Sequence, residues 1–113
     1  RVQYVLYPGL ENHPGYEINK AQTTGFGGMI SFAVDSAETA RQILEGVKLI
    51  KFAESLGGTE SLITYPIRQT HTDLTAEECA EKGITDCLLR FSTGIEATQK
   101  LIDDLAQAFA AVI

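Results

Sequence analysis

Short apolar runs constrain what this chain can fold into, and one of them contains a single arginine. Two runs, 49–53 and 61–65, flank a glycine-containing turn, and each is short enough for one strand. A third run, 87–92, would be an ordinary buried strand except for Arg90. A buried charge is costly unless something pairs with it, so Arg90 marks either an internal salt bridge or a binding site.

The composition is that of an ordinary globular domain. The chain has 113 residues, of which 44% are hydrophobic and 21% charged, enough for one domain with a modest core. A net charge of -6 and scattered basic residues disfavour nucleic acid and anionic membranes as partners. No apolar run reaches the length of a membrane span.

The cysteines and the start of the chain bear on its setting. Cys79 and Cys87 are too few for a disulfide framework or a zinc site, so we expect free thiols. The chain opens on a strand-like segment, not on a signal peptide, and we expect a cytoplasmic protein. The absence of an initiating methionine leads us to expect that the chain is cut from a longer protein.

The order of elements predicts an α+β fold. We expect an antiparallel sheet of about four strands with helices packed on one face, and a hairpin-like turn at Gly57-Gly58. Strand patterns cover 2–7, 29–34, 49–53, 61–65 and 87–92, and helices are predicted to begin near Asp35, Thr75 and Ala97.

Two other motifs are not expected to form sites. The glycines of the segment 25–28 precede a strand instead of opening a helix, which favours a turn over a phosphate-binding loop. His13 and His71 lie far apart, without partners at metal-ligand spacing, so no metal site is expected. Thr70-His71 could instead order the loop before the helix at Thr75.

Arg90 and the pair Glu54-Ser55 are the candidate binding residues. A guanidinium can hold a carboxylate through two parallel hydrogen bonds, and a rigid strand would fix its orientation. The alternative is an ion pair with Asp86 or Glu54, and the residues alone leave both open, with the ion pair slightly ahead. At a strand end, Glu54 could meet a substrate ammonium and Ser55 a carboxylate, or both could be solvated polar groups.

Motifs along nearly the whole chain resemble one enzyme family. The matching residues include Ala53-Glu54-Ser55-Leu56-Gly57-Gly58, Glu60-Ser61-Leu62-Ile63, Thr70-His71 and Leu89-Arg90-x-Ser92-x-Gly94-Ile95-Glu96. They are similar to the C-terminal part of the enzymes of cysteine and methionine metabolism that use pyridoxal phosphate (PLP). That family comprises the cystathionine γ-synthases, γ-lyases and β-lyases, and Glu54 favours the γ branch.

The resemblance implies that this chain binds substrate and that a large domain absent from this chain binds the cofactor. Residues 1–113 would be one C-terminal substrate-binding domain, the small domain of a fold-type I PLP enzyme, inactive alone. The absent N-terminal large domain would hold the PLP and the Schiff-base lysine, since no lysine here has the family's Ser-x-Thr-Lys setting. This chain would therefore contain no catalytic and no cofactor-binding residue, and the full-length enzyme would be a homotetramer.

The resemblance also assigns the site. Arg90 would bind the α-carboxylate of the amino-acid substrate, with Ser55 as its helper, Glu54 near the distal part of the substrate, and Thr70 supporting the pocket. The implied chemistry is trans-sulfuration, in which the cofactor acts as electron sink and Arg90 fixes the orientation of the Cα–H bond. The remaining alternatives are a free-standing amino-acid-binding regulatory module using Arg90 and Ser55, and a domain that serves assembly alone.

Overall fold

The computed structural model describes residues 1–69 and 73–113, except for the side chain of Gln69. The strands are β1 (Val2–Leu6), β2 (Met29–Val34), β3 (Lys51–Phe52), β4 (Leu62–Thr64) and β5 (Leu88–Ser92). The helices are α1 (Tyr16–Gln22), α2 (Ala37–Gly46), α3 (Pro66–Gln69), α4 (Ala76–Glu81) and α5 (Thr98–Ala110). The α+β class predicted from the sequence is confirmed.

The sheet differs from the predicted one in strand number and direction. In the described ranges it has five strands in the order β1-β2-β5-β4-β3, and β3 runs parallel to β4 while the other pairs are antiparallel. The prediction of about four antiparallel strands is therefore wrong. The physical reason is the segment 53–61, which does not close into a hairpin. It runs back past the end of β5, where the Thr59 carbonyl accepts a hydrogen bond from the Ile95 N–H (2.9 Å).

Helices lie on both faces of the sheet, which corrects the prediction of one covered face. Alternate residues of a strand point to opposite faces. Leu89 and Phe91 of β5 belong to the main core, together with residues of α2 and α5. Leu88 belongs to a second cluster with Cys79 of α4 and with Ile84. The second face is therefore covered at the Leu88 end of β5 by the segment that contains α3 and α4.

The three predicted helices, α2, α4 and α5, begin within two residues of their predicted starts. Thr75 caps α4, as predicted, by accepting a hydrogen bond from the Glu78 N–H (3.1 Å). The cap of α2 is Ser36 and not Asp35, and it accepts from the Thr39 N–H (3.1 Å). Ala97 precedes α5 and provides no side-chain cap.

A buried carboxylate joins α5 to the chain between α2 and β3. The two oxygens of Asp104 accept hydrogen bonds from the backbone N–H groups of Lys48 (2.8 Å), Leu49 (2.9 Å) and Ile50 (2.8 Å). Burial raises the pKa of this carboxyl, but the hydrogen bonds outweigh burial and the pKa is lowered from 3.8. These bonds fix the start of β3 relative to α5.

Within the described ranges, no helix combines the length and the apolar character needed to cross a membrane.

Candidate functional site

Arg90 lies in the middle of the sheet, where three strands meet. In the strand register it stands opposite Ser31 of β2 and Thr64 of β4. Residues directly opposite each other in antiparallel strands share a face of the sheet, and Ser92 shares it by alternation. We call the face that carries Ser31, Thr64, Arg90 and Ser92 the arginine face. It is the face away from α2 and α5, and Arg90 is partly buried on it.

The hydrogen-bond donors of the Arg90 guanidinium are not all satisfied within the described residues. Its Nη2 donates a long hydrogen bond to Thr64 Oγ1 (3.4 Å), and its buried Nε has no hydrogen-bond partner among the described residues. Five N–H donors on one guanidinium can serve two carboxylate oxygens at once. A carboxylate ligand would therefore find an unsatisfied donor, Nε, here.

The alternative of an internal ion pair is not observed in the part of the chain that the structure describes. The ion pairs there join Arg1 to Asp35 and Arg41 to Glu38 and Glu45. The Asp86 carboxylate instead accepts a hydrogen bond from Cys87 Sγ (3.4 Å).

The loop that carries Glu54 and Ser55 is tied to the arginine face at both of its ends. The Ala53 carbonyl, just before the pair, accepts a hydrogen bond from the Thr64 hydroxyl (2.6 Å). The Gly57 N–H, just after it, donates to Ser92 Oγ (2.9 Å). Both Glu54 and Ser55 are exposed between these anchors. The structure thus brings the loop of two predicted site residues to the strands around Arg90.

A second set of bonds holds the far end of the same loop. The Glu96 carboxylate accepts from the Ser61 N–H (2.9 Å) and hydroxyl (2.7 Å), and Ser61 Oγ accepts from the Gly94 N–H (2.7 Å). The hydrogen bonds from the Ser61 backbone and side chain lower the pKa of the Glu96 carboxyl. The loop 53–61 is therefore fixed against β5 and the segment that follows it.

Thr70, the fourth predicted binding residue, and His71 lie outside the described residues, so their predicted roles stay predictions. The prediction missed three residues that organise the site, namely Thr64, Ser92 and Glu96. A signal for Ser92 was available, because a period of two places it on the same face as Arg90. The roles of Thr64 and Glu96 depend on contacts distant in sequence.

The described structure has the architecture of a domain of a fold-type I PLP-dependent enzyme: a mixed sheet flanked by helices. The chain belongs to the Cys/Met metabolism PLP-dependent enzymes, because the model of that family matches residues 1–110. The resemblance noted in the sequence is thereby confirmed, and the cofactor of the family is PLP.

Individual relatives agree with this assignment. The chain is 50% identical over 107 residues to the cystathionine γ-lyase of Bacillus subtilis (strain 168), covering 95% of this chain and 28% of the relative. It is 45% identical to a cystathionine β-lyase of the same organism, covering 95% of this chain and 27% of the relative. A cystathionine γ-synthase from Xanthomonas oryzae pv. oryzae, solved in complex with aminoacrylate and cysteine, superposes with a TM-score of 0.90. That structure is 44% identical, with 96% of this chain and 28% of that chain covered.

The comparisons correct the predicted position of the chain in a longer protein. This chain spans 28% of the length of the Bacillus γ-lyase, and the alignment with the relatives is placed in their N-terminal part. The prediction of a C-terminal substrate-binding domain is therefore wrong. The prediction rested on motifs and on a missing cofactor lysine, and a lysine absent from one segment can lie on either side of it. The contacts around Arg90 do not depend on where this chain lies in a longer protein, because they are made within this chain.

The lysines of this chain lie on the surface of the described structure. All five lysines, Lys20, Lys48, Lys51, Lys82 and Lys100, are exposed on the described surface. A lysine that forms a Schiff base is activated by a lowered pKa, which needs a desolvated pocket or a neighbouring positive charge. The described residues place none of the five lysines in such a pocket.

Proposed function

We propose that this chain supplies the α-carboxylate site of a PLP-dependent enzyme that acts on sulfur amino acids of the cystathionine type. Arg90 is the residue that would bind the carboxylate. The observation that carries the proposal is its buried Nε, which has no hydrogen-bond partner in the described structure. A buried donor without a partner costs about 1–3 kcal/mol, and an arriving carboxylate would remove that cost.

The position of Arg90 suits this role. The guanidinium sits on a central strand, with β2 and β4 hydrogen-bonded on either side. A side chain fixed by such a scaffold holds a ligand in one orientation, which is what a reaction at the neighbouring Cα–H bond requires. Each charge-assisted hydrogen bond to the carboxylate would contribute about 1.5–3 kcal/mol.

Ser55 and Glu54 complete the proposed site from the loop side. Ser55 would help bind the carboxylate, and Glu54 would face the distal part of the substrate. Their exposure, and the anchoring of their loop to Thr64 and Ser92, support these roles because exposed groups on a fixed loop can meet a ligand. Thr70 is proposed as a further support of the pocket.

The cofactor lysine would come from the remaining part of the parent protein. The exposure of all five lysines of this chain supports that division. We therefore expect the 113-residue chain alone to be inactive. When bound, the cofactor would supply the electron sink, and this chain would supply orientation. The choice between synthase and lyase, the homotetramer and the cytoplasmic location stay predictions.

The test is kinetic and uses the full-length protein that carries this chain. Arg90→Lys should lower kcat/KM for L-cystathionine about 10- to 150-fold, the equivalent of one lost charge-assisted bond, with PLP binding unchanged. The matched control is Arg41→Lys, which alters an exposed arginine on α2 and should change neither quantity. Equal losses of activity and PLP binding, or no loss, would contradict the carboxylate role.

A further inference from the structure

We propose that Thr64 is a positioning residue that couples the guanidinium of Arg90 to the loop carrying Glu54 and Ser55. The inference rests on the proposed function, since it concerns how the same site is held. Thr64 would not itself touch the substrate or the cofactor. It acts through Arg90 and through Ala53.

The hydrogen bonds of Thr64 have a fixed polarity. A threonine hydroxyl has one hydrogen to donate and two lone pairs that accept. The hydrogen goes to the Ala53 carbonyl (2.6 Å), because a carbonyl oxygen only accepts. The lone pairs of Oγ1 are then left for Arg90 Nη2 (3.4 Å), which only donates. One hydroxyl therefore links the loop and the guanidinium in a single direction, from Nη2 through Oγ1 to the carbonyl.

Burial makes this link hard to replace. Thr64 is 1% exposed, so water has little access to the hydroxyl's position. Valine has nearly the same shape and no hydroxyl, and in its place the Ala53 carbonyl and Arg90 Nη2 would both lose a partner. Chains of hydrogen bonds in a low-dielectric interior strengthen one another.

The consequence is that a displacement of the loop and a displacement of the Arg90 guanidinium are coupled. Ala53 directly precedes Glu54 and Ser55, so a displacement of the loop moves the carbonyl that orients the Thr64 hydroxyl. Serine in place of threonine keeps the hydroxyl and should keep the coupling, whereas valine should remove it. That contrast separates an effect of the hydrogen bond from an effect of packing.

The first experiment reads Arg90 directly by NMR of the 113-residue chain with ¹⁵N-labelled arginine. Thr64→Val should shift or broaden the Nε–H resonance of Arg90, and Thr64→Ser should leave it near its original position. The matched control is Thr39→Val on α2. Thr39 is 2% exposed, and its hydroxyl donates a hydrogen bond to Asp35 Oδ1 (2.6 Å). This control should not move the Arg90 signal. An Arg90 resonance that Thr64→Val leaves unchanged overturns the proposal.

The second experiment measures turnover of L-cystathionine by the full-length protein. Thr64→Val should lower kcat/KM about 2- to 10-fold, the range expected for one hydrogen bond, and Thr64→Ser should restore it. An equal loss in both variants would make Thr64 a packing residue and overturn the proposal. If Arg90→Lys leaves kcat/KM unchanged while Thr64→Val still moves the Arg90 resonance, the proposed function fails and the coupling stands.

Discussion

Asp104 gives the sharpest prediction for stability, because its two oxygens have different partners. Oδ1 accepts from the N–H of Lys48 and from Gln107 Nε2, and Oδ2 accepts from the N–H groups of Leu49 and Ile50. In Asp104→Asn the amide has one acceptor oxygen. With that oxygen placed toward Leu49 and Ile50, the amide nitrogen faces the N–H of Lys48, donor to donor.

The expected cost follows from those contacts. At least one charge-assisted hydrogen bond is lost outright and the others lose their charge, so Asp104→Asn should destabilise the fold by about 2–4 kcal/mol. Asp104 is only 6% exposed, so solvent screens these bonds little. For a domain of this size, about 4 °C per kcal/mol predicts a fall in Tm of about 8–16 °C.

The pH dependence of this effect has a definite sign. The folded pKa of Asp104 is lowered from 3.8, so the carboxylate's contribution is present above that value and lost as pH falls through the folded pKa. Asparagine does not titrate. The difference in unfolding free energy between the native chain and Asp104→Asn should therefore be constant at neutral pH and shrink below pH 3.8.

The assay is thermal and urea unfolding followed by circular dichroism, with Asp103→Asn as the matched control. Asp103 is the adjacent exposed carboxylate of α5, and its bond is to Gln99 on the helix surface. It should change stability by less than about 0.5 kcal/mol. If Asp104→Asn cost no more than Asp103→Asn, the anchoring role of Asp104 would be refuted.

Two further predictions concern the segment after β5. A Cβ added at Gly94 would lie 2.6 Å from both Ser61 N and Glu96 Oε1, so Gly94→Ala should cost about 1–3 kcal/mol by chemical unfolding. Gly25→Ala, whose Cβ meets nothing within 4 Å, should be nearly neutral, and equal costs would argue against the close approach at Gly94. Ala97 precedes α5 without a side-chain cap, so Ala97→Ser should stabilise the chain by about 0.5–2 kcal/mol. A Tm unchanged or lowered by this substitution would contradict the capping argument.

Local patterns predicted part of the local structure, although they missed the helices α1 and α3. A nearly continuous apolar run predicted β2 at its observed bounds, 29–34, and the pairing of Thr75 with Glu78 located the start of α4. The arginine was recognisable because one charge in an apolar run stands out against its neighbours. These features depend on residues close together in the chain, which is where sequence periodicity carries information.

Contacts between distant residues could not be predicted in this way. The glycines at 57–58 suggested a hairpin, but the loop is instead tied to Ser92 and to the segment after β5, and β3 becomes parallel to β4. The three backbone bonds of Asp104 join residues more than fifty positions apart. Helical spacing places Asp104, but not Asp103, on the buried side with Leu101 and Ala108, yet it does not reveal which backbone groups the carboxylate binds.

The most direct test of the central claim asks whether Arg90 recognises a carboxylate. In the full-length protein, L-cysteine and L-cysteine methyl ester are compared as competitors of L-cystathionine turnover, in the native enzyme and in Arg90→Gln. Because both proteins meet the same two ligands, differences in the ligands' own chemistry cancel in the ratio. The native enzyme should prefer the free carboxylate about 10- to 150-fold more than the variant does. The same preference in both proteins would show that Arg90 does not bind the α-carboxylate.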